Sequence, residues 1–223
     1  MRTGGAQNII RPDTARVINE NLFAGLDAIA LDALNSLETV SSALVDFQPD
    51  PQLRFAQAPA RPSAVLIGLF QSAKGVEVIL TRRSHLLTNH RGEISFPGGR
   101  LNKGETVIAA ALREAQEEIG IDPNEAQIIA ELSGMVTVVS NSHIVPVVAR
   151  FEQRPEMQPM NSEVDRVFTV PLRELTRSDT YSQEYWKFPD RELQINLFYL
   201  DDETIWGVTA RMLLQVMNLT LQL

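Results

Sequence analysis

The chain of 223 residues is long enough for one domain of ordinary size with a substantial core, and its 44% hydrophobic content excludes a wholly disordered protein. The formal net charge of −8 argues against general nucleic-acid binding through a basic surface, although local cationic clusters remain free to bind a small anion. The absence of cysteine excludes disulfides, thiolate zinc sites and thiol nucleophiles, which suits a cytoplasmic protein. We expect neither a secretory signal nor a membrane span, since no apolar run approaches about 20 residues.

Residues 1–60 differ in pattern from the rest of the chain and predict an N-terminal helical extension. Apolar residues recur there at helical spacing: Phe23, Leu26, Ile29, Ala30, Leu34, Leu37, Leu44 and Val45. Proline-containing breaks at 48–52 and 58–62 end the pattern. The one or two amphipathic helices would pack on the domain formed by residues 61–223, which we favour, or mediate contacts in a homodimer.

From residue 61 onward the pattern mixes strands with helices. Periodicity predicts strands at 64–70, 76–81, 93–96, 130–139, 144–151, 165–171 and 193–199. It predicts one helix over 105–119 and a terminal helix over 203–219. Many strands, two good helices and irregular spacing indicate an α/β layered domain with a mixed sheet.

The helix over 105–119 carries three glutamates on one face. With Glu114 at zero, Glu118 lies about 40° to one side and Glu117 about 60° to the other. Like charges at this spacing destabilise a helix by roughly 0.2–0.5 kcal/mol per pair. The face is therefore either a solvated acidic surface or a site for a hard divalent cation, which binds carboxylate oxygens and is shared with substrate phosphates.

The surrounding residues favour the cation site. Residues 99–121 read GRLNKGETVIAAALREAQEEIGI, and this string resembles the Nudix box, G-x5-E-x7-R-E-U-x-E-E-x-G-U, where U is a bulky aliphatic residue. Every fixed polar and glycine position is matched, and Ala115 at the first U position is the single departure. The resemblance implies an α/β/α sandwich with the box helix packed on the sheet. It also implies an enzyme that hydrolyses diphosphate bonds and requires Mg²⁺ or Mn²⁺.

The resemblance assigns roles to the box residues. Glu114, Glu117 and Glu118 are the implied metal ligands, and Glu114 or Glu118 would also orient or deprotonate the attacking water. Glu105 would pair with Arg113 and hold the preceding loop, or reach a metal through water. We place Gly98 and Gly99 at the substrate, because glycine lets the backbone approach closely, and a carbonyl of either could be an extra metal ligand.

A second string lies directly upstream. Residues 79–99 read ILTRRSHLLTNHRGEISFPGG, which resembles the extra signature of the coenzyme A diphosphatase branch, approximately L-L-T-x-R-S-x-x-L-R-x-H-x-G-x-V-x-F-P-G-G. Thr88 stands where that pattern has Arg. Arg83 and His90 fall on pattern positions and are implied as substrate phosphate contacts. Strand alternation puts Arg82 on the opposite side of the sheet from Arg83.

Together the two signatures imply Mg²⁺-dependent hydrolysis of coenzyme A or its derivatives to 3′,5′-ADP and 4′-phosphopantetheine or its acyl form. Two alternatives stay open: a Nudix diphosphatase for another nucleoside diphosphate derivative such as ADP-ribose, and a non-catalytic Nudix ligand sensor. The expected partner is a small nucleotide, not a nucleic acid or a membrane. His143 and Glu163 are weaker candidates, the first as a loop or packing residue and the second as a loop carboxylate near the attacking water.

Overall fold

The computed structural model describes residues 4–5, 7, 9, 11–19, 22–50, 61–137 and 142–223. Its strands within these ranges are β1 (Arg16–Asn19), β2 (Arg61–Ser72), β3 (Gly75–Arg83), β4 (Ile94–Ser95), β5 (Gly98–Arg100), β6 (Gln127–Glu131), β7 (Met135–Val136), β8 (Ser142–Phe151), β9 (Val164–Pro171), β10 (Tyr181–Lys187), β11 (Glu192–Tyr199) and β12 (Thr204–Trp206). The α-helices are α1 (Ala28–Asp32), α2 (Leu37–Val45), α3 (Val107–Ile119) and α4 (Gly207–Leu221). Short 3₁₀ turns lie at Ala33–Asn35, Pro123–Glu125 and Leu172–Thr176.

The larger sheet is mixed, as the pattern predicts. Its strand order is β4-β3-β2-β8-β6, with β5 also paired to β2, β7 to β8 and β9 to β3. β2 and β8 run parallel from the Arg61–Ser142 pair to the Phe70–Phe151 pair, while the other described pairs are antiparallel. Both faces of these central strands are covered, so they read as continuous apolar runs rather than alternating ones.

Helices cover both faces of this sheet, which makes the predicted α/β/α sandwich. α3 packs on one face, where Ala110, Ala111 and Ala115 are fully buried and small enough for close approach to β2. α2 and α4 cover the other face with a separate apolar cluster that includes Leu44 and Leu213.

α3 begins and ends at recognisable capping residues. The side chain of Thr106 accepts a hydrogen bond from the Ala109 N–H, so the helix starts two residues later than predicted. Gly120 closes it in the left-handed conformation at φ 77°, and its N–H donates to the Gln116 carbonyl. These two caps fix which residues of the motif lie on the helix.

A second, four-stranded antiparallel sheet has the order β1-β10-β11-β12, and of these strands the sequence pattern predicts β11 alone. The predicted start of the terminal helix at 203 is wrong, because Thr204–Trp206 pairs with β11 and the helix begins at Gly207. The N-terminal segment contributes β1, which pairs with β10. The second sheet therefore joins the predicted extension to the C-terminal part of the chain.

The predicted strand over 130–139 is also wrong over its described part. β6 and β7 are separate short strands on β8, and the break between them lies beside Pro146 of that strand. Proline has no N–H to donate to a ladder, so pairing is interrupted there. Val138 and Val139 lie outside the described residues.

α2 and the 3₁₀ turn before it pack against the domain, with Leu34, Val40 and Leu44 fully buried, whereas α1 has no buried residue and its Ile29 is exposed. For α2 and the turn, packing is the favoured of the two sequence-based alternatives. No single described helix is long and apolar enough to cross a membrane; the segments Ala28–Asn35 and Leu37–Val45 pass together by length and composition but are bent by 88°.

Candidate active site

The three glutamates of α3 occupy different environments. Glu118 is buried, with 5% of its surface exposed, and accepts a hydrogen bond of 3.1 Å from the Gly98 N–H. The Glu114 side chain is 19% exposed, whereas that of Glu117 is 57% exposed. The charged face of α3 is therefore only partly turned toward solvent: Glu118 lies against β5, whereas Glu117 faces solvent.

Arg113 holds the other carboxylates together. Its Nε and Nη2 donate to the two oxygens of Glu105 at 2.8 and 3.0 Å, which is the pairing expected from the motif. Its Nη1 donates to Glu114 at 2.8 Å and to Glu117 at 3.2 Å. Glu105 also accepts from the Asn102 N–H at 2.8 Å, and Arg113 together with this bond lowers the Glu105 pKa to about 2. The pair ties the loop before α3 to the helix.

The glycine at position 99 brings the backbone against a metal-ligand candidate. A Cβ at Gly99 would overlap the carboxylate of Glu114, so a larger residue would push that side chain away. The glycine of the motif thus has a steric reason here, in addition to its backbone freedom.

The pKa of Glu118 is raised to about 7, chiefly because burial disfavours the charged carboxylate. The charges of Glu114 and Glu163 raise it further, while the Gly98 N–H and the charge of Arg83 act in the opposite direction. A bound divalent cation would stabilise the charged form and lower this pKa.

These residues fit a hard divalent cation by their chemistry. Glu114, Glu117 and Glu118 supply carboxylate oxygens, the ligand type that Mg²⁺ and Mn²⁺ prefer. Within the part of the chain that the structure describes, no three acidic or histidine side chains are already gathered around one point. The Arg113 guanidinium occupies oxygens that a cation would need, because it pairs with oxygens of Glu114 and Glu117. A cation would compete with Arg113 for those oxygens.

Arg83 lies at the end of β3, on the α3 side of the sheet. Its charge acts on the pKa of both Glu118 and His90, so it is within electrostatic reach of both. Its Nε is buried and has no hydrogen-bond partner among the described residues. His90 follows in the loop after β3, in the left-handed conformation at φ 57°. Its Nδ1 lies 3.0 Å from Glu93, which raises the His90 pKa despite the opposing charge of Arg83.

Arg82 points to the other side of the sheet, as strand alternation predicts. Its Nη1 donates to Glu203 at 3.0 Å, and Glu203 also accepts from Arg166 at 2.9 Å. This ion-pair network ties β3 and β9 to the segment before β12.

Comparison with known proteins identifies the family of the chain. Residues 59–191 match the family model described as the NUDIX domain. The chain belongs to the Nudix hydrolase family. It is similar to "Nudix hydrolase 3" of Caenorhabditis elegans, at 31% identity over 70% of this chain and 72% of that protein. It is also similar to "Uncharacterized Nudix hydrolase NudL" of Citrobacter koseri, at 34% identity over 79% of this chain and 92% of that protein.

Among solved structures, a MutT/nudix family protein from Enterococcus faecalis matches with a TM-score of 0.47 at 16% identity, over 86% of this chain and 73% of that chain.

Two residues outside the Nudix box gain importance from the structure. Glu163, the weaker sequence candidate, precedes β9, and its carboxylate charge acts on Glu118. Its carbonyl accepts the Ser84 N–H at 2.8 Å, because β9 runs antiparallel beside β3. The Asn161 side chain donates to the Glu117 carbonyl near the end of α3. The sequence does not predict this role, since no local pattern marks Asn161. His143 is instead buried at the start of β8, where β2 and β7 flank it, consistent with a packing role.

Proposed function

We propose that this Nudix hydrolase cleaves the diphosphate of coenzyme A or a coenzyme A derivative and releases 3′,5′-ADP and 4′-phosphopantetheine or its acyl form. The observation that carries the proposal is the placement of Arg83. Its N–H donates to the Glu93 carbonyl at 2.9 Å and its carbonyl accepts the Gly92 N–H at 3.0 Å, so the loop with His90 folds back against it, and its buried Nε has no hydrogen-bond partner among the described residues. The choice of coenzyme A rests on the signature over residues 79–99 that contains both Arg83 and His90.

The box carboxylates Glu114, Glu117 and Glu118 would hold Mg²⁺ or Mn²⁺. When bound, such a cation neutralises phosphate charge and lowers the pKa of a bound water. Glu105 and Arg113 keep the loop before the helix in place, so that Gly98 and Gly99 stay against the glutamates.

Proton transfer from the attacking water requires a carboxylate with an accessible charged form. Glu118, whose pKa is about 7 before any cation binds, and Glu114, which lies against Gly99, are the two candidates for orienting or deprotonating that water. The bond that breaks is the P–O bond of the diphosphate bridge, and the water oxygen forms the new bond to phosphorus.

Substrate phosphates need cations of the protein as well. Coenzyme A carries a 3′-phosphate in addition to its diphosphate, so it calls for more cationic contacts than a simple nucleoside diphosphate derivative. Arg83 suits this task because its guanidinium offers a planar fork of donors, and its Nε has no partner among the described residues. His90 adds positive charge when it is protonated, and its hydrogen bond to Glu93 raises its pKa. Thr88, in place of the Arg of the signature, removes one such contact.

The test is to incubate the purified protein with Mg²⁺ and coenzyme A, with ADP-ribose in parallel, and to identify the products by mass. We expect release of 3′,5′-ADP from coenzyme A. Cleavage of ADP-ribose alone would keep the hydrolase and overturn the substrate. Binding of either compound without cleavage would favour a ligand sensor.

A further inference from the structure

The C-terminal end of α3, the helix that carries the box glutamates, receives hydrogen bonds from a loop that is distant in the sequence. The last four carbonyls of an α-helix lack partners within the helix and need donors from elsewhere. Here the carbonyls of residues 116–119 each receive one: from the Gly120 N–H at 3.0 Å, the Asn161 Nδ2 at 3.1 Å, the Met160 N–H at 2.9 Å and the Gln158 N–H at 3.0 Å. Among these donors, Asn161 alone uses its side chain.

The carbonyl oxygen of the Asn161 amide makes a second hydrogen bond, within the loop that carries Glu163. This Oδ1 accepts the Glu163 N–H at 2.9 Å, and the Glu163 carbonyl accepts the Ser84 N–H at 2.8 Å. A continuous chain of hydrogen bonds therefore runs from the carbonyl of Glu117 through Asn161 and Glu163 to Ser84. Ser84 directly follows Arg83, so these hydrogen bonds connect α3 to the arginine that we propose as a phosphate contact.

We infer that Asn161 is a positioning residue, whose amide fixes the Glu163 carboxylate and the Arg83 end of β3 relative to the box glutamates. The inference uses the proposed function only for the catalytic readout. Glu163 is exposed, and its segment has no strand of its own before Val164, so the amide supplies the local constraint.

The chemistry of the position requires an amide. One side must donate to a carbonyl and the other must accept from an N–H, and asparagine supplies both on a short side chain. Aspartate at this position would keep the acceptor but lose the donor, and it would add a negative charge facing the Glu117 carbonyl.

The experiment is a double-mutant cycle between Asn161→Ala and Glu163→Gln, with Asn161→Asp as the variant that loses the donor alone. Asn124→Ala is the matched control, because the Asn124 side chain also makes a local hydrogen bond, from its Nδ2 to Asp122, just beyond the same helix. We expect Asn161→Ala and Asn161→Asp to lower kcat by about tenfold with KM changed by less than about twofold, since misplaced groups mainly affect the reacting geometry. The control variant should retain wild-type kcat.

In the cycle, the double variant should be no slower than the slower single variant, since Asn161 acts through Glu163. Multiplied effects would overturn the inference, as would a kcat loss in Asn124→Ala equal to that in Asn161→Ala.

Mn²⁺ affinity, titrated by electron paramagnetic resonance, gives a second readout that needs no substrate. We expect Asn161→Ala and Glu163→Gln each to weaken Mn²⁺ binding by about threefold without multiplying, because each removes or displaces one nearby negative charge. If the wild type cleaves neither coenzyme A nor ADP-ribose, the proposed function fails, and the Mn²⁺ cycle alone decides the inference: multiplied or absent effects would then overturn it.

Discussion

Glu118 is the residue on which the electrostatics of the site converge. It is buried beside the Gly98 N–H, between the positive charge of Arg83 and the negative charges of Glu114 and Glu163. A buried carboxylate without a full counter-charge is costly, and a divalent cation removes that cost. The burial of Glu118 therefore destabilises the folded protein whenever this carboxylate is charged and no cation is bound.

This cost gives a pH dependence for the metal-free protein. The Glu118 pKa is about 7 in the folded state against 4.5 ordinarily, so between these values the folded state holds a proton that the unfolded state has lost. The free energy of unfolding should therefore fall as pH rises from about 4.5 to about 7, by at most about 3 kcal/mol from this group. Urea unfolding in EDTA between pH 5 and pH 7.5 measures it. Glu118→Gln should flatten the fall, and an unchanged slope in that variant would contradict this role of the side chain.

Charge at two box positions should be necessary for turnover. Glu114→Gln and Glu118→Gln keep the size of each side chain but remove a carboxylate ligand or base, so we expect each to lower kcat by at least about 100-fold. Steady-state kinetics with Mg²⁺ measure the loss, and circular dichroism checks that the fold is intact. Near-wild-type turnover in both variants would mean that the site lies elsewhere.

At the scale of elements, the site depends on close packing of β5 against α3. The β5 backbone donates to Glu118 from Gly98 and touches Glu114 at Gly99. Thr106 and Gly120 set the ends of the helix, and Arg113 clamps it to the preceding loop through Glu105. Because the metal-ligand candidates and the glycines lie on separate elements, small shifts between these elements should affect activity before stability.

Gly99→Ala tests this packing directly. The new Cβ would overlap the Glu114 carboxylate, and we expect kcat to fall by at least about tenfold because that carboxylate must move. Gly25→Ala is the control, since a Cβ there meets no atom within 4 Å. Steady-state kinetics and thermal unfolding of both variants separate a loss of activity from a loss of stability. An unchanged kcat in Gly99→Ala would show that the close contact between Gly99 and Glu114 has no catalytic importance.

Prediction of elements from the sequence succeeds where the pattern is local. The apolar run of β2 and the helical periodicity of α3 are sufficient to place both, and the motif implies the Arg113–Glu105 pair. The break between β6 and β7 depends on Pro146, a residue of the neighbouring strand, so no pattern within 130–139 reveals it. Asn161 is equally hidden, because the Glu117 carbonyl to which it donates lies 44 residues earlier in the sequence.

At the scale of the whole molecule, the second sheet is the part that sequence periodicity misses. β10 buries polar residues, among them Glu184, which a half-buried strand pattern does not predict. Glu184 is satisfied by Arg11, Trp186 and Tyr199, which come from three separate stretches of the chain. The N-terminal segment thus contributes to the fold through long-range pairing that local composition cannot indicate.

The whole molecule carries a net charge of −8, so a substrate with several phosphates must find positive charge locally. Arg83 and His90 are the residues of the proposed function that would provide it beside the box carboxylates.

The most direct measurement is kcat/KM of the wild type and of Arg83→Ala on coenzyme A and on dephospho-coenzyme A, which lacks the 3′-phosphate. We expect the wild type to prefer coenzyme A. In Arg83→Ala this preference should fall by about tenfold, mainly through a higher KM for coenzyme A, as expected for loss of one charged hydrogen-bonded contact. An equal loss on both substrates would assign Arg83 to the diphosphate or to structure, and a wild type that cleaves neither substrate would contradict the proposed activity.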